Sequence, residues 1–312
     1  MNDPLGRIPV TIVTGFLGSG KTTLLNHLLT TGAPGRVAAL VNDFGAIDID
    51  AALVASVTDE VIQLANGCIC CTINSDLYAA AVRVLELVPR IDRIVVETTG
   101  LADPLPVGLT FLETDLRART VLDAVVTVVD SANFALDLFK ADAAMAQIVH
   151  GDIIVLNKVD LVAESAVASI EARIGMLKPK ARTLRAVRGR VPASILLDQP
   201  GGAVALDPTR AKAHRHGPGD DGFQAFAFEF PASLSASRFQ AWLDRALPEG
   251  VFRAKGLVWF DARPESFVFQ LCGGRASFDR FDRQVHTTRL VFIGRNLEAA
   301  ALERDLRWCL IR

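Results

Sequence analysis

Five short apolar runs limit what this chain can fold into. They are "VTIVT" (10–14), "RVAALV" (36–41), "RIVVET" (93–98), "DAVVTVVD" (123–130) and "DIIVLN" (152–157), and they alternate with segments of helical periodicity. Their hydrophobicity is continuous rather than alternating, which marks strands buried on both faces, as in a mostly parallel sheet flanked by helices. The alternation fades near residue 198, where "DQPGGAVALDPTRAKAHRHGPGDDG" is rich in Gly, Pro, Asp and His and reads as a flexible linker. Beyond it, "FQAFAFEF" (223–230), the helical "SASRFQAWLDRAL" (235–247), "KGLVWFDA" (255–262), "SFVFQLC" (266–272), "TRLVFIG" (288–294) and the helical "NLEAAALERDLRWCL" (296–310) give the order β-α-β-β-β-α. That order predicts a small α+β domain with helices covering one face of a largely antiparallel sheet. The expected organisation is an α/β domain over residues 1–200, a linker over 201–222 and an α+β domain over 223–312.

With half of its 312 residues hydrophobic, the chain can fill two cores. A net charge of -2 favours neither nucleic acid nor an anionic membrane as the main partner. No apolar run reaches the roughly 18 residues of a membrane span, and the N-terminus lacks a basic segment followed by an apolar core. The expectation is a soluble cytoplasmic protein. In that reducing compartment five cysteines do not suggest a disulfide framework.

"GFLGSGKTT" follows a predicted strand and precedes the helical "TTLLNHLL", the context that a phosphate-binding P-loop requires. Gly15, Gly18 and Gly20 let backbone N–H groups approach phosphates, Lys21 supplies a point charge to the β and γ phosphates, the Thr22 hydroxyl can bind Mg²⁺, and Ser19 and Thr23 belong to the same nucleotide-binding stretch. A second signal is Asn157, Lys158 and Asp160 in "VLNKVDL", at the end of another buried strand. Guanine offers N1–H and N2–H₂ as adjacent donors that the Asp160 carboxylate can accept, whereas adenine has no such pair, so the nucleotide is GTP rather than ATP. In "RIVVETTGLADP" an acidic residue ends a strand: Glu97 is placed to hold Mg²⁺ through water, and Gly100 to present its N–H to the γ-phosphate. The residue after Gly100 is Leu101 rather than a water-orienting Gln, so slow unassisted hydrolysis is expected. Another residue, a partner or a second subunit in a homodimer must complete the hydrolytic site.

Cys68, Cys70 and Cys71, in "ANGCICCT", stand between the phosphate loop and Glu97. In extended backbone Cys68 and Cys70 share a side, and a bend after Cys70 brings Cys71 round as a third thiolate. Soft thiolates suit Zn²⁺, Co²⁺ or Cu⁺, and three protein ligands leave one position open for exchange. A redox pair and apolar packing are the competing readings, although C-x-x-C spacing is missing. The remaining Cys272 and Cys309 fall in a strand and a helix and read as core. His27 and His150 read as structural, and the His214–His216 pair as solvated linker.

Together "GFLGSGKTTLLN", "VNDFGAIDID", "NGCICC", "ETTGLADP", "NKVD", "KGLVWFDARPESFVFQ" and "HTTRLVFIG" resemble the CobW-type P-loop GTPases, metallochaperones for zinc or cobalt. The resemblance runs from about residue 8 to the end. It implies a GTPase domain whose cargo metal sits on Cys68, Cys70 and Cys71, a switch segment "NDFG" that places Asp43 near Mg²⁺ or the cargo, and a C-terminal domain that docks a client metalloprotein in its apo form. Family members often carry Glu where Asp43 and Ala46 stand, so the fourth ligand is left open. His286 matches a family position with no role that the residues reveal. The resulting expectation is a GTP-hydrolysing metallochaperone that couples Zn²⁺ or Co²⁺ binding to nucleotide state. The alternatives are a metal-responsive GTP-binding regulator that docks a partner, and a P-loop kinase, against which "NKVD" argues.

Overall fold

The computed structural model describes residues 3, 5–31, 35–41, 61–63, 73–87, 90–134, 142–197, 214–215, 222–261 and 263–311. The chain divides into two compact units, one of residues 6–200 and one of residues 201–312 with Asp3–Leu5.

The first unit is built on strands β1 (Ile8–Thr14), β2 (Val37–Val41), β3 (Val61–Gln63), β4 (Arg93–Glu97), β5 (Thr120–Asp130), β6 (Ile153–Asn157) and β7 (Arg182–Arg185). They form one sheet in the order β3-β2-β4-β1-β5-β6-β7, every pair of it parallel. All seven residues of β1 are buried, as are all of β2, β4 and β6. That is the two-sided burial which the continuous apolar runs require.

Helices α1 (Lys21–Thr31), α2 (Ile73–Leu85), α3 (Pro104–Glu113), α4 (Asp142–His150) and α5 (Glu164–Leu177) flank the sheet. Val84 of α2 and Val107 and Phe111 of α3 pack with Val10, Ile12, Leu40 and Ile94, while Val167, Ile170 and Ile174 of α5 pack with Ile154 and Leu156. Helix α3 starts with Asp103 as N-cap, its carboxylate accepting from the Leu105 N–H at 2.9 Å, and with Pro104 in its first turn. Because β1 lies between β4 and β5, the C-terminal ends of all three strands meet at the point where strand order reverses. In an open parallel sheet that is the ligand-binding crevice.

The second unit holds β8 (His214–Arg215), β9 (Phe223–Phe230), α6 (Ala236–Arg245), β10 (Val251–Trp259), β11 (Ser266–Cys272), β12 (Arg275–Phe281), β13 (Thr288–Arg295) and α7 (Ala299–Cys309). Its sheet is antiparallel throughout, in the order β12-β11-β10-β13-β9-β8. Phe228, Phe230, Phe269, Leu290 and Phe292 on one sheet face meet Phe239 and Trp242 of α6 and Leu302 and Leu306 of α7. The pattern-derived order β-α-β-β-β-α misses β12, and it misses β8, where His214 and Arg215, expected in the linker, instead pair with Ala225 and Gln224 of β9. Strand β12 alternates half-buried and exposed residues along "RASFDRF", so its charged side chains disguise it as loop. The hairpin before it turns on Gly273, at φ 57°, which a two-residue β-turn accommodates in glycine. Strand β7, "RTLR", is another short strand that charge conceals. Cys272 and Cys309 are both buried in this unit, and burial, with Asp305 nearby, pushes the Cys309 thiol up to about 11. Among the described residues no helix is long and apolar enough to cross a membrane.

Candidate functional site

The loop after β1 takes its shape from glycine backbone. Gly15, Gly18 and Gly20 sit at φ 143°, 71° and 100°. A Cβ on Gly15 would collide with the Val128 carbonyl oxygen, and one on Gly20 with Asn157 Nδ2. The strand behind and the asparagine beside the loop thus both require backbone without a side chain. Ser19 N–H donates to the Phe16 carbonyl at 3.2 Å, and Lys21 Nζ reaches back across the loop to the same carbonyl, also at 3.2 Å. Helix α1 begins at once, with Leu24 N–H bonded to the Gly20 carbonyl at 2.9 Å, so its N-terminus points at the loop. N–H groups at a helix start, a glycine loop and an ammonium form an anion cradle. Ser19 Oγ is buried with no hydrogen-bond partner, a donor held in reserve within that cradle.

Strand register puts Glu97 beside Val13, and the Thr22 hydroxyl donates to Glu97 Oε1 at 2.8 Å. A hydroxyl and a carboxylate held side by side are the hard oxygen donors that Mg²⁺ takes, directly or through water, so the pair fits that ion in chemistry. The chain then turns through Thr98, Thr99 and Gly100. Thr98 N–H donates to the Val13 carbonyl at 3.0 Å and Thr98 Oγ1 to Thr14 Oγ1 at 2.9 Å, which bind the turn to the end of β1. The side chain of Leu101, 57% exposed, has no polar atom with which to orient a water molecule.

On the other side of β1, Asp130 ends β5 opposite Asn157, which ends β6. Asn157 Nδ2 donates to the Ser19 carbonyl at 2.9 Å, and its Oδ1 accepts from Gly189 N–H at 2.9 Å. One amide thereby joins the phosphate loop, the "NKVD" turn and the loop after β7. Lys158 adopts the left-handed region at φ 61° and its Nζ lies 2.7 Å from Asp130 Oδ2. Burial pushes the Asp130 carboxyl upward, but hydrogen bonds from Lys158, Asn133 Nδ2 and the Ala132 N–H outweigh it and hold the group below the usual carboxylate range. Asp160 stands exposed in the 3₁₀ turn Val159–Leu161, with its carboxylate open to a ligand. His27 is structural in its contacts, its Nε2 lying 3.0 Å from the Val191 carbonyl.

The fold therefore brings Gly15, Gly18, Ser19, Gly20, Lys21, Thr22, Thr23, Glu97, Gly100, Asn157, Lys158 and Asp160 to one end of one sheet. Asp43, Cys68, Cys70, Cys71 and His216 lie outside the described residues. Among the described residues no group of three or more His, Cys, Asp or Glu side chains is arranged to hold a metal. Sequence reasoning passed over Asp130 and Gln147. Asp130 had a usable signal, an acidic residue closing an apolar strand as Glu97 does. Gln147 had a fainter one: it is the polar member of the buried stripe Ala144, Gln147 and Ile148 on α4.

Residues 9–185 match the protein family described as CobW/HypB/UreG, nucleotide-binding domain, and residues 223–310 match the Cobalamin synthesis protein cobW C-terminal domain. The chain is 33% identical to the zinc chaperone CobW of Pseudomonas aeruginosa, over 98% of this chain and 92% of that protein. It is 30% identical to the zinc chaperone YjiA of Escherichia coli, over 93% of this chain and 95% of that one. It is also 30% identical to zinc-regulated GTPase metalloprotein activator 1 of Dictyostelium discoideum, over 83% of this chain and 64% of that one.

Proposed function

This chain belongs to the CobW/HypB/UreG family of nucleotide-binding proteins, and from that premise we propose that it is a GTP-hydrolysing zinc chaperone whose metal affinity follows nucleotide state. The observation that carries this is a near end-to-end match to zinc chaperones in a chain with a phosphate cradle at one strand end and Asn157, Lys158 and Asp160 at another. Asp160 accepts from guanine, while Asn157 and Lys158 hold the walls of the base site. Lys21 stabilises charge on the transferred phosphoryl group, and Gly100 presents its N–H to the same group. Thr22 and Glu97 are the residues that hold Mg²⁺, which when bound neutralises charge on the β and γ phosphates. With Leu101 after Gly100, turnover without partner or metal stays below the roughly 1 s⁻¹ at which kinases begin.

Cys68, Cys70 and Cys71 take the cargo Zn²⁺ as thiolates, and an exchangeable fourth position lets the ion pass to an apo client in the cytoplasm. The name "metalloprotein activator" on one relative supports a protein client. Segments between the phosphate loop and Glu97 are where nucleotide state reorders a GTPase, and the three cysteines fall there in sequence.

The test is a chelator competition titration for Zn²⁺ in the presence of a non-hydrolysable GTP analogue or of GDP. The GTP state should bind Zn²⁺ about 5 to 150-fold more tightly, with Zn²⁺ tightening GTP relative to GDP by the same factor. Cys68→Ser, Cys70→Ser or Cys71→Ser should erase the coupling and leave metal-free GTP binding intact. Equal Zn²⁺ affinities in the two states would reduce the cysteines to a static site and end the case for a GTP-driven chaperone.

A further inference from the structure

Gly100 is locked from both sides. The peptide plane before it is held by the Thr99 carbonyl, which accepts from Ala102 N–H at 3.2 Å. The plane after it is held by a residue far along the chain: Gln147 Nε2 donates to the Gly100 carbonyl at 3.2 Å and to the Ala102 carbonyl at 3.0 Å. Because a trans peptide is planar, fixing a carbonyl also fixes the N–H on the opposite side of that unit. The N–H of Gly100 is therefore aimed through the Thr99 carbonyl by Ala102, and the N–H of Leu101 through the Gly100 carbonyl by Gln147. The turn lies close against the phosphate loop at a point where only glycine fits, since a Cβ on Gly100 would stand only 2.6 Å from Leu17 Cδ2 and 2.7 Å from Leu17 N.

Gln147 is itself held firmly. It is 1% exposed, and its main-chain carbonyl accepts from Thr127 Oγ1 of β5 at 2.5 Å and from Gly151 N–H at 3.0 Å. A primary amide buried in the apolar stripe of α4 is costly unless its donors are used, and here both donor contacts go to one turn. A hydrophobic residue would complete the stripe equally well but would leave the Gly100 carbonyl without this partner.

We propose that Gln147 is a positioning residue that clamps the Thr99–Ala102 turn so that its N–H groups stand ready for the terminal phosphate, and so sets the preference for GTP over GDP. This rests on the assignment of the crevice to GTP. GDP lacks the phosphate that the turn meets, so the clamp contributes to GTP affinity and to hydrolysis but little to GDP affinity.

The experiment uses the full chain with Gln147→Met, which keeps length and apolar contact without a donor, and Gln147→Glu, which sets acceptors against the two carbonyls. Affinities for GDP and for a non-hydrolysable GTP analogue are read by displacement of a fluorescent guanine nucleotide, with single-turnover GTP hydrolysis alongside. Gln147→Met should leave GDP affinity within about twofold, while analogue affinity and the hydrolysis rate each fall about tenfold, the size of a lost hydrogen bond or two. Gln147→Glu should shift the same ratio further. An unchanged GTP-to-GDP ratio, or an equal loss for both nucleotides, would overturn the clamp while leaving the GTP assignment standing. Insolubility of both variants beside a soluble wild type would overturn it too, by making the amide a fold determinant. A wild type that binds no guanine nucleotide would overturn the clamp and the GTP assignment together.

Discussion

Both units are sheets covered by helices, yet they place their polar side chains in opposite ways. In the parallel unit the strands are buried on both faces, and four of them end in a polar side chain at the crevice: Thr14, Glu97, Asp130 and Asn157 close β1, β4, β5 and β6. In the antiparallel unit polar residues run along the strands, as in β12, while a dense aromatic cluster fills the helix-covered face. Phe239 alone meets Trp242, Phe260, Phe269 and Phe278 with ring centroids 5.3–6.4 Å apart. Two-sided burial concentrates chemistry at one edge, whereas one-sided burial spreads polarity over a face and leaves packing to dominate.

The largest expected effect breaks the packing side of this contrast. Phe292 is fully buried and makes edge contacts with Phe228 and Trp242 at 6.1 and 5.7 Å. Phe292→Ala should cost about 3–5 kcal/mol in the antiparallel unit, with guanine nucleotide affinity unchanged within about twofold. All three tryptophans, Trp242, Trp259 and Trp308, belong to this unit, so intrinsic fluorescence during urea unfolding reports on it directly. Parallel loss of nucleotide binding would show that the crevice depends on the aromatic core.

A smaller effect tests the strand-end chemistry. Lys21→Ala removes the cation that spans the phosphate loop and should lower GTP turnover by about 10² to 10³, or roughly 2.7–4 kcal/mol, while urea unfolding of the parallel unit, followed by far-UV circular dichroism, keeps its midpoint. Turnover within threefold of wild type would take Lys21 out of the phosphate chemistry.

The smallest concerns the ion pair at the ends of β5 and β6. The Asp130 carboxyl is held below its ordinary value, so the stability it contributes is present above about pH 4, where the unfolded group is ionised, and is lost as pH falls through the folded value. Lys158 is 32% exposed, which screens the pair, so Asp130→Asn should cost about 1 kcal/mol at neutral pH. Urea unfolding of both proteins from pH 7 to pH 3 should show that gap closing below about pH 4. A gap constant across the range would mean that Asp130 acts through shape rather than charge.

Much of the crevice was legible because its signals are local. A strand, a glycine loop and a helix start are contiguous in "VTIVTGFLGSGKTT", Glu97 follows directly on an apolar run, and the "NKVD" turn that ends in Asp160 follows directly on another. β12 was not legible, because alternation broken by Arg and Asp looks the same in a solvated loop as in a strand with one wet face. Asp130 could have been found by asking why an acid closes a buried strand. Its pairing with Lys158 could not, since the two are neighbours only through strand register.

Sequence by itself determined the parallel sheet, the phosphate loop and the strand-end Glu97, because hydrophobic period and backbone chemistry act over a few residues. Tertiary structure alone decided that Asn157 ties Ser19 to Gly189 and that Gln147 fixes the turn at Gly100, contacts spanning 138, 32 and 47 residues. Such partners are set by which strand ends and helix faces the topology brings together, and a buried amide bonds whatever carbonyl that arrangement presents.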